Sequence, residues 1–220
     1  ETGPMSSPRA YQAFLFDMDG TLITSTAAAE RVWSRWAERH GLDLDAFIPT
    51  IHGVRAIDTI RRQNLPDIDL DAEVAWVERG EIEDVKGVAP IPGAAAFVKR
   101  LPPDRWAVVT SASVPLAKAR LEAAGVEPPR TLITAEDVER GKPDPAGYLK
   151  AAEALGFAVA DCLVFEDAEA GIQAGEAAGA DVVVVTAART HPLETTHPTL
   201  KDYGEARLEV AADGRLLLTL

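Results

Sequence analysis

Apolar residues gather in five short uninterrupted runs: QAFLF at 12–16, RWAVVT at 105–110, TLIT at 131–134, CLVF at 162–165 and DVVVVT at 181–186. These runs are rich in β-branched residues and do not alternate with polar ones, the pattern of parallel strands buried on both faces. Around and between the last four lie stretches of helical spacing bounded by Gly and Pro, over about 93–101, 114–124, 145–156 and 168–179. Strand–helix alternation with right-handed crossovers predicts an α/β fold with a doubly wound parallel sheet.

The interval 25–87 breaks the alternation, showing helical spacing and no buried strand. Ala29, Val32, Trp33, Trp36 and His40 recur at i, i+3 and i+4, giving one apolar face, and two further helices fit 54–63 and 71–86. The expectation is therefore an α-helical domain at 24–87, inserted after the first strand into a core formed by 5–23 and 88–220. Three of the four tryptophans (Trp33, Trp36, Trp76) fall in the insertion and are read as its own core rather than as ligand-stacking groups. At the C-terminus, RLEVAADGRLLLTL places two apolar runs around Asp213-Gly214, a hairpin expected to extend the sheet edge.

With 220 residues, 47% of them hydrophobic, the chain has enough material for one or two packed domains. Its 35 acidic against 22 basic residues give a net charge of −13, which argues against nucleic-acid partners and against adhesion to an anionic membrane. No run approaches the ~20 apolar residues of a membrane span. The residues ahead of Met5 read as an expression remnant, and no secretion signal is expected. Cys162 is the only cysteine and lies in an apolar run, so it is expected to be a buried thiol in a cytoplasmic protein.

Four segments carry chemistry. In Phe14-Leu15-Phe16-Asp17-Met18-Asp19-Gly20-Thr21-Leu22, two carboxylates sit at the C-terminal end of the first strand, where open α/β sheets bind ligands. Two acids ionised side by side call for a hard divalent cation. An Asx turn ending a strand accounts for the segment equally well when it is taken alone. Thr110-Ser111-Ala112-Ser113 offers hydroxyls and backbone N–H groups at a helix start, an anion cradle, with Ser113 as helix cap. Gly141-Lys142-Pro143-Asp144-Pro145 pins one lysine just before a helix. Phe165-Glu166-Asp167-Ala168 ends the fourth strand with two acids; Gly171 and Gly175 follow at helical spacing, costing up to about 1 kcal/mol each against Ala. That cost points to close helix–sheet packing beneath the acid pair.

In this order and on these elements, FDMDGTL, TSAS, GKPDP and FEDAEAG resemble the four motifs of the haloacid dehalogenase superfamily of phosphohydrolases, over nearly the whole chain. The helical insertion is similar to the small helical cap of the phosphoglucomutase/phosphatase branch. Within that branch, ERVWSRWAERHGL, IHG, TAEDVERGKPDP and the closing hairpin most resemble bacterial sugar and hexitol phosphatases, with glycerol-phosphate and deoxyglucose-phosphate phosphatases as similar relatives. The resemblance implies that Asp17 is the nucleophile, Asp19 the general acid/base, and Ser111 with the Ala112 N–H the phosphate binder. It implies that Lys142 neutralises the phosphoryl oxygens and the nucleophile. Mg²⁺ is the implied cofactor, held by Asp17, the backbone carbonyl of Asp19 and Asp167, with Glu166 at or beside the ion. A cis Lys142–Pro143 bond is implied as well.

Departures from the pattern bear on the reaction. Related phosphomutases carry a histidine where this chain has Ala29, an aliphatic residue at the position of Thr21 and an arginine at that of Ala56. Hydrolysis is therefore favoured over a mutase, and over a dehalogenase, which lacks an equivalent of Asp19. A non-catalytic phosphosugar-binding module is disfavoured by the intact Asp17, Asp19, Lys142 and Asp167. The expected reaction is Mg²⁺-dependent hydrolysis of small sugar or polyol phosphates through an aspartyl-phosphate, in a cap-and-core design that works as a monomer. Substrate choice is expected from the cap, whose candidate contacts are Thr24, Ser25, Glu30, His52, Gly53, Arg55, Glu81 and Asp84. Arg55 is expected to accept a second charged group. For each of these residues singly, a solvated helix surface is the plainer reading. His191 and His197 read as surface-loop residues.

Overall fold

The computed structural model describes residues 9–189 and 194–220. Short β1 (Arg9–Tyr11) and β2 (Ala13–Phe16) are followed by β3 (Ile23–Thr24). Four helices come next: α1 (Thr26–Arg39), α2 (Leu44–Phe47), α3 (Ala56–Arg62) and α4 (Leu70–Glu83). The chain returns through β4 (Ala89–Pro90) and α5 (Ala94–Lys99) to the alternating part. That part runs β5 (Trp106–Val109), α6 (Val114–Ala123), β6 (Thr131–Ile133), α7 (Ala146–Leu155), β7 (Cys162–Glu166), α8 (Glu169–Ala178) and β8 (Asp181–Val185). β9 (Thr199–Leu200), β10 (Arg207–Val210) and β11 (Leu216–Thr219) complete it.

All five apolar runs become strands of one parallel sheet with the order β6-β5-β2-β7-β8-β9. β2 lies between β5 and β7, and successive side chains of these strands enter opposite cores. Phe14, Phe16 and Phe165 pack on one face with Phe97 and Tyr203, where the Phe16 and Phe165 rings stack 4.5 Å apart. Leu15, Val109 and Val164 pack on the other face with Tyr148. This placement brings Asp17, Thr110–Ser113 and Glu166–Asp167 to one rim of the sheet, beside the strand where the winding reverses.

The inserted helices have a separate core of Val32, Trp33, Trp36, Phe47, Ile60 and Val77. Trp33 and Trp36 meet edge to face with centroids 5.6 Å apart, so the tryptophans serve packing as expected. Asp69 caps α4 by accepting the Ala72 N–H at 3.1 Å. The two chain crossings between core and insertion pair antiparallel, Ile23 with Pro90 and Thr24 with Ala89. The four-residue α2 has no counterpart in the sequence reading, being too short to show a period.

The C-terminal hairpin forms, but it does not extend the parallel sheet. β11 pairs antiparallel with β1, Arg9 opposite Leu218, in a separate three-stranded sheet, and β9 holds the edge beside β8. The pairing buries Leu216 and Leu218 in the cluster that holds Tyr11 and Trp106. Among the described residues no helix is long and apolar enough to cross a membrane. His191 lies outside the described residues; His197 sits in the segment before β9 with Nε2 2.7 Å from Glu176.

Candidate active site

Asp17 follows the last residue of β2, and its N–H donates to the Phe165 carbonyl at 2.9 Å, which ties it to β7. Its Oδ1 accepts from Lys142 Nζ at 2.6 Å. Lys142 reaches this point from the loop before α7, where the Lys142–Pro143 bond is cis as the resemblance implied. Its other donors go to the Val109 carbonyl at 3.0 Å and Glu166 Oε1 at 2.6 Å. Glu166 is fully buried. Its Oε1 also accepts from the Tyr148 hydroxyl at 2.7 Å, and its Oε2 accepts the N–H groups of Asp167 at 3.1 Å and Ala168 at 3.4 Å.

Oxygens of Asp17, Glu166 and Asp167 all lie within 4.8 Å of one another, three carboxylates against one lysine. Burial opposes the charge on Lys142, but Asp17 and Glu166 outweigh burial and its pKa rises. Asp17 is pushed up to about 7 by burial and then by Glu166, with Lys142 pulling the other way. Burial, Asp17 and Glu166 likewise hold Asp167 well above the usual carboxylate range. A buried acid surplus with all-oxygen donors fits a hard divalent cation.

The glycines show how tightly the acids are packed. Gly20 has φ +88, and a Cβ there would fall 2.0 Å from Asp167 Oδ2. A Cβ on Gly171 would fall 1.7 Å from Glu166 Oε1, and one on Gly175 3.0 Å from Val182. Gly171 is thus needed for close approach and Gly175 packs tightly on the sheet, as their spacing suggested.

Above the carboxylates is a cleft of about 150 Å³ between sheet rim and helical insertion. Asp17, Asp19, Ser111, Ala112 and Asp167 line its floor, and Trp33, Ile51, His52, Glu78 and Glu81 belong to its roof. Asp19 Oδ1 accepts from Ser25 Oγ at 2.5 Å and from Arg120 Nη1 at 3.0 Å. The Ser111 hydroxyl donates to the Gly53 carbonyl at 3.0 Å, and the Ala112 N–H donates to Thr110 Oγ1 at 3.1 Å. Ser113 caps α6 as expected and contacts Glu78.

The cap candidates divide. Ser25, His52, Gly53, Arg55 and Glu81 line the cleft. Thr24 instead bonds the Gly87 and Ala89 carbonyls, and Asp84 takes both ends of the Arg31 guanidinium at 2.9 and 2.7 Å. Glu30 stands behind His52 at 3.4 Å, outside the lining. Arg55 is committed to Asp58 at 2.7 Å and to the Val138 and Glu139 carbonyls at 3.0 and 3.1 Å, a clamp from insertion to core. Burial lowers the His52 pKa, with Arg189 adding to the effect and Glu30 opposing it. Sequence reasoning missed Glu78 and Arg120; Trp33 reaches the lining from the insertion core expected for it. Arg120 had a signal, since it occupies the apolar face of α6 with Leu116, Ala117 and Leu121.

At the C-terminal rim of the parallel sheet, beneath the helical insertion, one lysine thus bridges two buried carboxylates. The family model described as haloacid dehalogenase-like hydrolase matches residues 11–179, and the chain belongs to that family. It is 43% identical to hexitol phosphatase A of Escherichia coli (strain K12) over 185 residues, covering 82% of this chain and 86% of that protein. To 2-deoxyglucose-6-phosphate phosphatase 1 of Saccharomyces cerevisiae it is 36% identical over 193 residues, with 78% of each covered. A solved hydrolase from Pseudomonas syringae shares the fold, with a TM-score of 0.72 at 22% identity over 81% of this chain and 85% of that one.

Proposed function

We propose that this protein hydrolyses phosphate monoesters of small sugars or polyols, using Mg²⁺ and an aspartyl-phosphate intermediate. The observation that carries the reading is the bridge from Lys142 to Asp17 and Glu166, with Asp167 alongside, open to a cleft that Asp19 borders. The names of the relatives, hexitol and 2-deoxyglucose-6-phosphate phosphatases, point the same way.

In the first step Asp17 Oδ attacks phosphorus as the bond to the leaving oxygen breaks, and Asp19 gives its proton to that oxygen. In the second, Asp19 takes a proton from water, which attacks phosphorus and frees the Asp17 carboxylate with release of phosphate. Lys142 holds Asp17 in line and offsets charge on the phosphoryl oxygens. Ser111 and the Ala112 N–H are assigned to phosphate, a role that requires them to exchange their present partners, the Gly53 carbonyl and the Thr110 hydroxyl. Asp17, Asp167 and the Asp19 carbonyl are assigned to the metal, and Glu166, with its oxygens taken by Lys142, Tyr148 and two backbone N–H groups, to holding the lysine. Bound Mg²⁺ supplies positive charge that offsets repulsion between an anionic ester and an anionic nucleophile.

A neutral leaving group fits the cleft, since its arginines, Arg55 and Arg120, are already paired and burial disfavours the charged form of His52. We take 24–87 as a cap closing over the site and shielding it from water. We place the enzyme in a reducing cytoplasm, in keeping with its lone buried thiol, Cys162. Phosphate release should be measured across hexose, hexitol, pentose, glycerol and glycolate phosphates. Activity on hexitol or sugar phosphates, weak on phosphoglycolate, is expected; transfer between positions of one sugar without phosphate release would replace hydrolase with mutase.

A further inference from the structure

Arg120 is a buried arginine on a core helix whose side chain joins three parts of the molecule. From α6 its Nη1 donates to Asp19 Oδ1 at 3.0 Å, and its Nη2 donates to Glu81 Oε1 at 2.9 Å on cap helix α4. Arg120 and Glu81 are almost wholly buried, at 4% and 6% exposure, and Arg120 Nε has no hydrogen-bond partner. Such an arrangement is a poor device for stability alone, because apolar residues of similar volume usually replace a buried ion pair without loss. Its second carboxylate comes from the cap, while its first is the acid/base. Ser25, the other donor to Asp19 Oδ1, lies where the chain leaves β3 for the cap. Both donors leave Asp19 Oδ2 without a hydrogen bond among the described residues, available to the leaving oxygen.

We propose that Arg120 is a positioning residue that aligns Asp19 through Nη1 and, through Glu81, makes that alignment depend on the cap being seated. The proposal rests on the phosphatase reading. A cap that swings away withdraws Glu81 and shifts Ser25, leaving the Arg120 guanidinium without the partner that fixes its orientation. Leaving-group protonation, which delivers the Asp19 proton to the oxygen as its bond to phosphorus breaks, is thereby reserved for the closed state.

The test compares wild type, Glu81→Gln, Arg120→Lys and the double variant on two kinds of ester. One is 4-nitrophenyl phosphate, whose leaving group departs without a proton. The other is the best alkyl substrate among sorbitol 6-phosphate, 2-deoxyglucose 6-phosphate and glycerol 1-phosphate. The readout is kcat/KM, which reports the steps through phosphoenzyme formation. Loss of aligned acid catalysis should lower it on the alkyl ester by about tenfold to a hundredfold. On 4-nitrophenyl phosphate the loss should stay within about threefold, and the double variant should lose little more than Arg120→Lys, as expected of two residues acting through one contact. Equal losses on both esters, or independent losses that multiply, would overturn the proposal. If Arg120→Lys does not fold, the isosteric Glu81→Gln decides by the same split. Wild type that releases phosphate from none of these esters sinks the phosphatase reading itself, and this proposal with it.

Discussion

On the floor of the cleft, Lys142 commits its three donors to Asp17, Val109 and Glu166, and each partner is fixed to a strand of the same sheet. On the roof, three charged groups of the cap reach across to the core: Arg55 to the Val138 and Glu139 carbonyls, Glu81 to Arg120, Glu78 to Ser113. The Lys142 cluster is held by the core alone, as electrostatic catalysis requires, whereas Ser111 and the Ala112 N–H must exchange partners to meet a phosphate. The roof is held by bonds between insertion and core, which the proposed lifting of the cap would break. Chemistry should accordingly fail when the floor is altered; on the roof, Glu81 acts on chemistry through Arg120, whereas Glu78, which contacts Ser113, should change binding.

The largest effect should come from Asp17→Asn, which is expected to lower phosphate release by about 10³-fold or more while leaving the circular dichroism spectrum unchanged. Near wild-type turnover would remove Asp17 from the nucleophile role. Removing divalent ions with excess chelator should silence the enzyme, and Mg²⁺ should restore it; full activity in chelator would take the metal out of the account. Lys142→Met is expected to cost about 10²–10³ in kcat. It should also lower stability by about 3–5 kcal/mol, because Glu166 and Asp17 lose their buried partner, a change that denaturant titration measures.

A thermal measurement sharpens the electrostatic half of the comparison. Asp17 stays protonated in the native state up to about pH 7, whereas its unfolded carboxyl ionises near 3.8. Between those values the native chain holds a proton that the unfolded chain has lost, so stability without metal should fall as pH rises through this window. At one fixed concentration, about a hundred times its Kd at pH 8, Mg²⁺ should add roughly 5–10 °C to Tm there, and less at pH 5. A gain independent of pH would mean that the carboxylates do not hold the ion. The smallest effect belongs to the roof: Glu78→Gln should raise KM for a hexitol phosphate about threefold, consistent with one lost polar contact, at nearly constant kcat. A kcat collapse there would erase the distinction between floor and roof.

What was legible follows from the same contrast. The buried runs that end at Asp17 and at Glu166–Asp167 are plain in the sequence, while Lys142, in the loop before α7, is singled out by the family resemblance; all four do meet. Gly171 also announced itself, because an unfavourable helix residue implied close packing that the Glu166 carboxylate now explains. Roof residues belong to amphipathic helices whose periodicity separates core from surface but does not say which polar side chain looks into a cleft. Asp84 therefore passed as a candidate although Arg31 holds it, while Glu78, one helical turn before Glu81, was missed. The hairpin was correct as local structure and misplaced in tertiary structure, because turn chemistry at Asp213-Gly214 carries no information about β1 as the partner strand.

The most direct test of the account is to trap the phosphoenzyme. Enzyme quenched during turnover of a sugar phosphate, then reduced with borohydride and analysed by peptide mass spectrometry, should carry homoserine at position 17, the reduction product of an aspartyl-phosphate. Phosphate release with no reducible label at Asp17, or with the label on another residue, would contradict it.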